Sequence, residues 1–137
     1  MTRTARWVLV SLLLLGSGAT ATVPTGGAFS GHWHWERGKE ELDLYLRQTG
    51  DKIEGRHSAI GQGGLKVDEV LDNQPPSITG SVRGNTAVIT FRTGFPDADG
   101  HGRARLVLTG KTLHWTIVQS SGEYYLPTKV TLRRQKD

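Results

Sequence analysis

The run His32-Trp33-His34-Trp35 concentrates the side chains of this chain that are best suited to chemistry. Histidines two positions apart on a strand point to the same side of the sheet, where both imidazoles can bind one metal ion. The same alternation places the two tryptophans on the opposite side. If the indoles face a core, His32 and His34 face solvent. Exposed histidines are therefore the expectation, and a metal-binding or metalloenzyme site is the alternative, with a third ligand from His57, His101 or His114.

A second group of residues falls on the inward side of predicted strands. His57 has the same parity as Ile53 and Gly55, so its imidazole should point inward, where it needs hydrogen-bond partners. Aromatic side chains share such inward positions. The set either packs a core or lines a pocket that stacks a flat ligand. The candidate ligand-binding residues are Trp33, Trp35, His57, Phe91 and Trp115.

Motifs for covalent or cofactor chemistry are missing from the sequence. No serine lies in a G-x-S-x-G setting, and the chain has no cysteine. Asp97-Ala98-Asp99-Gly100 is similar to the start of a calcium loop but lacks the later bidentate glutamate, so it reads as a surface turn. We therefore predict no catalytic residue, no cofactor and no enzymatic activity.

The elements that carry these residues show the two-residue period of β-strands. Leu42, Leu44 and Leu46 alternate with polar neighbours, and turn residues recur about every 8 to 12 positions. Closure of a meander into a barrel removes its two exposed edges. The expected fold is all-β, with eight to nine antiparallel strands in an up-and-down meander closed into a small barrel over residues 29–135. Tyr124 to Pro127 should form an aromatic lip at the barrel mouth or cover the core.

The N-terminal residues indicate export. Arg3 and Arg6 precede an apolar run from Trp7 to Leu15, and Ala19-Thr20-Ala21 offers a cleavage site. This is the layout of a signal peptide over residues 1–21, followed by a flexible leader over 22–28. The expected protein is periplasmic or secreted, without a membrane span or a lipid-modified cysteine.

Charge and composition exclude two further classes of protein. The formal net charge of +4 falls to +2 without Arg3 and Arg6, and acidic and basic residues are interspersed along the chain. Such a surface does not favour nucleic-acid binding. The absence of cysteine excludes a disulfide-stabilised scaffold.

Gly31-x-Trp33 on the first strand, with Arg134 on the last, resembles the calycin barrels, which include lipocalins, fatty-acid-binding proteins and avidins. The resemblance implies a closed barrel in which Arg134 packs across the Trp33 indole as a structural closure. The resemblance covers the architecture only. Avidins present several tryptophans of their late strands to the ligand, whereas Trp115 is the only late tryptophan of this sequence.

These observations predict a protein that works by binding. Long segments on a rigid scaffold often carry binding, and residues 61–76 and 94–102 are long and rich in Gly, Pro and Asp. The main expectation is a protein partner in the cell envelope, bound through these loops as by an enzyme inhibitor or immunity protein. The alternative is a small apolar or aromatic ligand inside the barrel.

Overall fold

Nine β-strands make up nearly all the regular structure of residues 27–136. The structure is a computed structural model that describes residues 27–136. The predicted signal peptide and most of the predicted leader therefore lie outside the described residues. The strands are β1 (Gly31–Arg37), β2 (Glu40–Thr49), β3 (Lys52–Gly61), β4 (Lys66–Glu69), β5 (Ile78–Arg83), β6 (Thr86–Arg92), β7 (His101–Thr109), β8 (Thr112–Ser121) and β9 (Lys129–Arg134), with one 3-10 turn at Gln62–Gly64.

The sheet closes on itself as an antiparallel up-and-down barrel. Eight strands form the ring, because β1 pairs with both β2 and β9 while β3 pairs with both β2 and β5. The ninth strand, β4, lies outside the ring and, among the described strands, pairs only with the second half of β3. The predicted all-β closed meander is thus confirmed. Its architecture is consistent with a calycin-like barrel.

Two-residue turns join four pairs of consecutive strands, and glycine begins each of these turns. Gly50 and Gly84 have φ values of 60° and 61°, a left-handed conformation that glycine adopts without a steric penalty. Such turns fix the register of each hairpin. The alternation of each strand then decides which side chains enter the barrel.

The core follows the predicted parity. The leucines of β2 and the Trp33 and Trp115 indoles are almost completely buried and belong to one apolar cluster. Within residues 27–136, no helix is long and apolar enough to cross a lipid bilayer.

Candidate functional site

The long connections of the barrel meet at one end. Because the strands alternate in direction, the connections after β1, β3, β6 and β8 share that end, and the other end carries two-residue turns and the chain termini of the barrel. We call the first end the loop end. It comprises residues 38–39, 62–77, 93–100 and 122–128.

A buried carboxylate joins three of these connections. Asp68 on β4 has no solvent exposure, and its two oxygens accept four hydrogen bonds. Oδ1 accepts from His57 Nε2 at 2.8 Å and from the Gly94 amide at 2.7 Å. Oδ2 accepts from Thr93 Oγ1 at 2.7 Å and from the Tyr125 amide at 2.9 Å. The carboxylate therefore fixes the segments around 68, 94 and 125 against β3.

The hydrogen bonds to Asp68 control its ionisation. Burial alone would raise the pKa of this carboxyl group. The hydrogen bonds from His57, Thr93 and the two amides oppose burial and lower the pKa to about 2. Asp68 is therefore an anion near neutral pH, and its charge is held inside the protein by four donors from three segments.

His57 extends this network to the start of β5. Its Nδ1 lies 2.8 Å from Ser77 Oγ, and its backbone amide donates to the same oxygen at 3.3 Å. Nε2–H donates to the Asp68 carboxylate, and a second hydrogen bond joins Nδ1 to the Ser77 hydroxyl. Among the side chains of residues 27–136, no buried nitrogen or oxygen lacks a hydrogen-bond partner. The inward His57 is thus a satisfied histidine.

Ser77, His57 and Asp68 share the residue types of a hydrolase triad, but their burial opposes that chemistry. In a hydrolase, the serine hydroxyl must reach the carbonyl of a substrate. Its hydrogen bond to the histidine must also form while that substrate is bound. Ser77 is 3% exposed, His57 1% and Asp68 0%. Because all three side chains are enclosed, they join the loops to the barrel.

Sequence reasoning missed both partners of His57. The segment 61–76, expected as a binding loop, contains the strand Lys66–Glu69, in which Asp68 points inward while Val67 and the preceding Leu65 are exposed. The available signal was an inward histidine that required partners. The sequence did not show which acid or hydroxyl would supply them.

The surface of the loop end exposes three large apolar side chains. Leu65 is 83% exposed, Leu71 54% and Val67 47%. Beside them, the Phe95 and Tyr125 rings meet edge to face with centroids 4.8 Å apart. Lys66 Nζ lies 5.4 Å and 5.8 Å from these two centroids, within the range of cation–π attraction. The predicted binding loops 61–76 and 94–102 therefore present this surface together.

The last connection covers the core at the loop end. Leu126 is buried in the core, Tyr124 packs edge to face on Phe91 at 5.3 Å, and Trp115 Nε1 donates to the Pro127 carbonyl at 2.8 Å. Residues 124–127 were expected either to form an aromatic lip or to cover the core, and the structure supports the second role. A groove of about 400 Å³ beside it is bordered by Trp35, Tyr124 and Tyr125.

The candidate ligand-binding residues are divided between the core and two surface grooves. Trp33, His57 and Trp115 are enclosed, with at most 1% exposure. Trp35 is half-buried and borders the groove at the loop end, while Phe91 borders a groove of about 360 Å³ on the outer wall. The structure thus brings most of the set together as core packing.

The predicted pair at the opposite end lies in contact. Arg134 Cζ is 4.2 Å from the centroid of the Trp33 ring. The guanidinium also donates to the carbonyls of Ala28, at 2.5 Å, and Ser30. Trp33 Nε1 donates to the Phe29 carbonyl at 2.9 Å. Arg134 therefore ties the segment before β1 to the end of β9.

The histidine pair lies on the outer face of the barrel. His32 Nε2 and His34 Nδ1 donate to the same oxygen, Asp43 Oδ1, at 2.6 Å and 2.8 Å. His32 also stacks on Tyr45, with ring centroids 4.4 Å apart. Both imidazoles are thus engaged by one carboxylate. No group of three or more histidine, aspartate or glutamate side chains is arranged to hold a metal ion in the described part of the chain.

The other candidate metal ligands are hydrogen-bonded elsewhere. His101 Nδ1 donates to the Asp99 carbonyl at 2.9 Å, and His114 Nδ1 lies 3.0 Å from Thr131 Oγ1. His57 is enclosed with Asp68. The structure therefore does not gather these three around His32 and His34.

The fold and the loop end define a small, closed antiparallel β-barrel whose long connections form one ordered surface. Comparison with known proteins finds no matching family model, curated protein or solved structure.

Proposed function

We propose that this protein is a non-catalytic binding protein of the periplasm or the secreted fraction, and that it binds a protein partner through its loop end. The mode of action is that of an enzyme inhibitor or immunity protein. The observation that carries the proposal is the exposure of Leu65, Val67 and Leu71 on connections that the buried Asp68 holds in place. The signal peptide expected over residues 1–21 supports the proposed location.

Preorganisation supports this function. A surface that is ordered before binding loses less conformational entropy on association, so more of the contact energy appears as affinity. The carboxylate of Asp68 fixes the backbone amides of Gly94 and Tyr125, and so positions the half-buried pair of Phe95 and Tyr125 rings. Apolar and aromatic side chains at the centre of a patch are typical of protein interfaces.

Charge indicates the kind of partner. Basic residues at the loop end, Lys39 and Lys66, are outnumbered by acidic residues that reach solvent, namely Glu69, Asp72, Asp97, Asp99 and Glu123. The proposed partner therefore presents an apolar patch surrounded by lysine or arginine side chains. Complementary charge of this kind raises association rates and selects partners.

The alternatives have less support. Binding of a small ligand inside the barrel would require the Trp33 and Trp115 indoles to leave a core in which each is 0% exposed. Metal binding at His32 and His34 lacks a third ligand, because no group of three or more histidine, aspartate or glutamate side chains is arranged to hold a metal ion within residues 27–136.

The test compares two pairs of substitutions with similar chemistry. Leu65→Asp with Leu71→Asp places charge on the loop end, and Val88→Asp with Val118→Asp does so on the barrel wall, where both valines are 54% exposed. Immobilised wild-type protein and both variants are incubated with cell-envelope extract. The retained protein is then purified and titrated against each form.

We expect one partner that binds the wild type and the wall variant with 1:1 stoichiometry. The loop-end variant should bind it at least about tenfold more weakly, since central interface substitutions of this size cost more than about 1.4 kcal/mol. Equal binding by both variants would refute the loop end as the site. Retention of no partner by the wild type would refute the proposed function.

A further inference from the structure

A second surface, on the outer wall of the barrel, has a different chemistry. Outward-facing residues of β5, β6, β7 and β8 form two adjacent rows of cross-strand neighbours close to the loop end. They border a groove of about 360 Å³, whose volume is within the range of small-molecule sites. One row is Thr79, Thr90, Arg103 and Gln119, and the other is Arg92, His101 and Ser121.

The groove carries positive charge without a carboxylate among its lining residues. Neither Arg92 nor Arg103 forms an ion pair with any acidic group of residues 27–136. Arg92 donates to the Pro75 carbonyl, which holds its guanidinium at the rim, whereas the Arg103 guanidinium makes no hydrogen bond to the described protein. Two guanidinium groups are thus left with donors directed at solvent.

A β-bulge contributes to this surface. Arg103 pairs with Gln119 and Ala104 pairs with Ile117, so Val118 is an extra residue on β8. A bulge bends its strand and redirects the side chains that follow. After the bulge at Val118, Gln119 and Ser121 lie opposite Arg103 and His101 on the outer face. The irregularity therefore gathers polar donors of β8 beside the arginines.

We infer that this groove binds a small oxyanion, a carboxylate or phosphate carried on a hydroxylated body such as a sugar. The guanidinium fork matches the geometry of both oxyanions and makes charge-assisted hydrogen bonds to them. The hydroxyl and amide groups of Thr90, Gln119 and Ser121 are donors and acceptors suited to the ligand's hydroxyls. This site lies on the wall and does not depend on the proposed protein partner.

The test is a titration of isotope-labelled protein, followed by amide chemical shifts at constant ionic strength. The probes are glucose 6-phosphate, glucuronate and, as the uncharged control, glucose. The variants are Arg103→Gln alone, which disturbs no hydrogen bond of the fold, and Arg103→Gln with Arg92→Gln. The matched control is Arg83→Gln with Lys111→Gln, which removes two exposed charges near the opposite end of the barrel.

We expect saturable shifts at residues 90–92, 101–103 and 119–121 with at least one of the two anions, and much weaker binding of glucose. Arg103→Gln should weaken binding by about tenfold and the double variant by more, because each guanidinium contributes a charge-assisted hydrogen bond. The Arg83/Lys111 variant should bind as the wild type does.

The response to the two anions identifies the oxyanion as phosphate or carboxylate. Absence of saturable shifts with both anions would overturn the inference. Equal losses in the Arg92/Arg103 and Arg83/Lys111 variants would also overturn it, because they would indicate general charge screening and no defined site.

Discussion

Replacement of Asp68 by asparagine tests the network that fixes the loop end. The substitution keeps the side-chain volume and removes the charge. An amide oxygen can still accept from His57 and Gly94, but the amide nitrogen then faces the Tyr125 N–H, which loses its acceptor. Two costs therefore arise from one substitution.

The magnitude of each cost follows from the structure. Lowering the carboxyl pKa from 3.8 to about 2 corresponds to about 2 kcal/mol of stabilisation of the folded anion. An unsatisfied buried amide costs about 1–3 kcal/mol. We expect Asp68→Asn to lower the free energy of unfolding by about 3–5 kcal/mol near neutral pH. Asp72→Asn, at an exposed position of the same connection, should change it by less than about 0.5 kcal/mol.

The loss should depend on pH with a definite sign. The folded-state pKa of Asp68 is below its unfolded value, so its stabilisation is fully present above pH 3.8 and disappears as the pH falls towards 2. The difference between wild type and Asp68→Asn should therefore shrink by about 2 kcal/mol between about pH 6 and about pH 2. Urea unfolding followed by tryptophan fluorescence measures both quantities, since Trp33 and Trp115 are buried. A loss below about 1 kcal/mol, or a difference that does not change with pH, would refute this account of the network.

Three further outcomes follow from other contacts. Arg134→Ala should lower the free energy of unfolding in urea by about 1–3 kcal/mol, because the cation–π attraction to Trp33 and the hydrogen bonds of the guanidinium are lost. Arg133→Ala, at an exposed position, should have little effect, and equal losses in the two variants would contradict the closure role of Arg134. Burial lowers the pKa of His34, but the hydrogen bond and charge of Asp43 raise it by more, to above 6.5. The stability that His34 contributes is thus present below pH 6.5 and lost as the pH rises through the folded-state pKa. The pKa is measured by NMR titration, and an unchanged pKa in Asp43→Asn would show that Asp43 does not raise it. Gly80→Ala should cost more than about 2 kcal/mol in urea unfolding, because the new Cβ would lie 2.1 Å from a neighbouring carbonyl oxygen, and a neutral effect would show that the strands can separate there.

The barrel was predictable because its information is local. Alternation along each strand determines which side chains are buried, and glycine turns such as those at Gly50 and Gly84 determine the register of the hairpins. Closure then follows from the need to pair the remaining edges. The exception is β4. Val67 resembles a core residue of an alternating strand, yet it is 47% exposed because β4 lies outside the ring and turns Asp68 inward.

The sites were harder to predict because they depend on distant residues. Asp68 and Ser77 lie 11 and 20 positions from His57, and nothing in the local pattern marks them as its partners. The outer groove depends on the register of four strands and on one extra residue, Val118, that no periodicity reveals. An inward histidine shows that a buried polar network is needed, but only the fold selects its members.

The distribution of charge separates the two proposed binding surfaces. The loop end carries more acidic than basic side chains, while the adjoining outer groove presents Arg92 and Arg103 with no lining carboxylate. A partner with a basic rim is attracted to the first surface and repelled by the second, and the reverse holds for a small anion. The charge on each surface thus favours a different kind of ligand. Substitutions at Leu65 and at Arg103 should accordingly affect binding independently, since no contact joins these side chains and distant sites usually act additively.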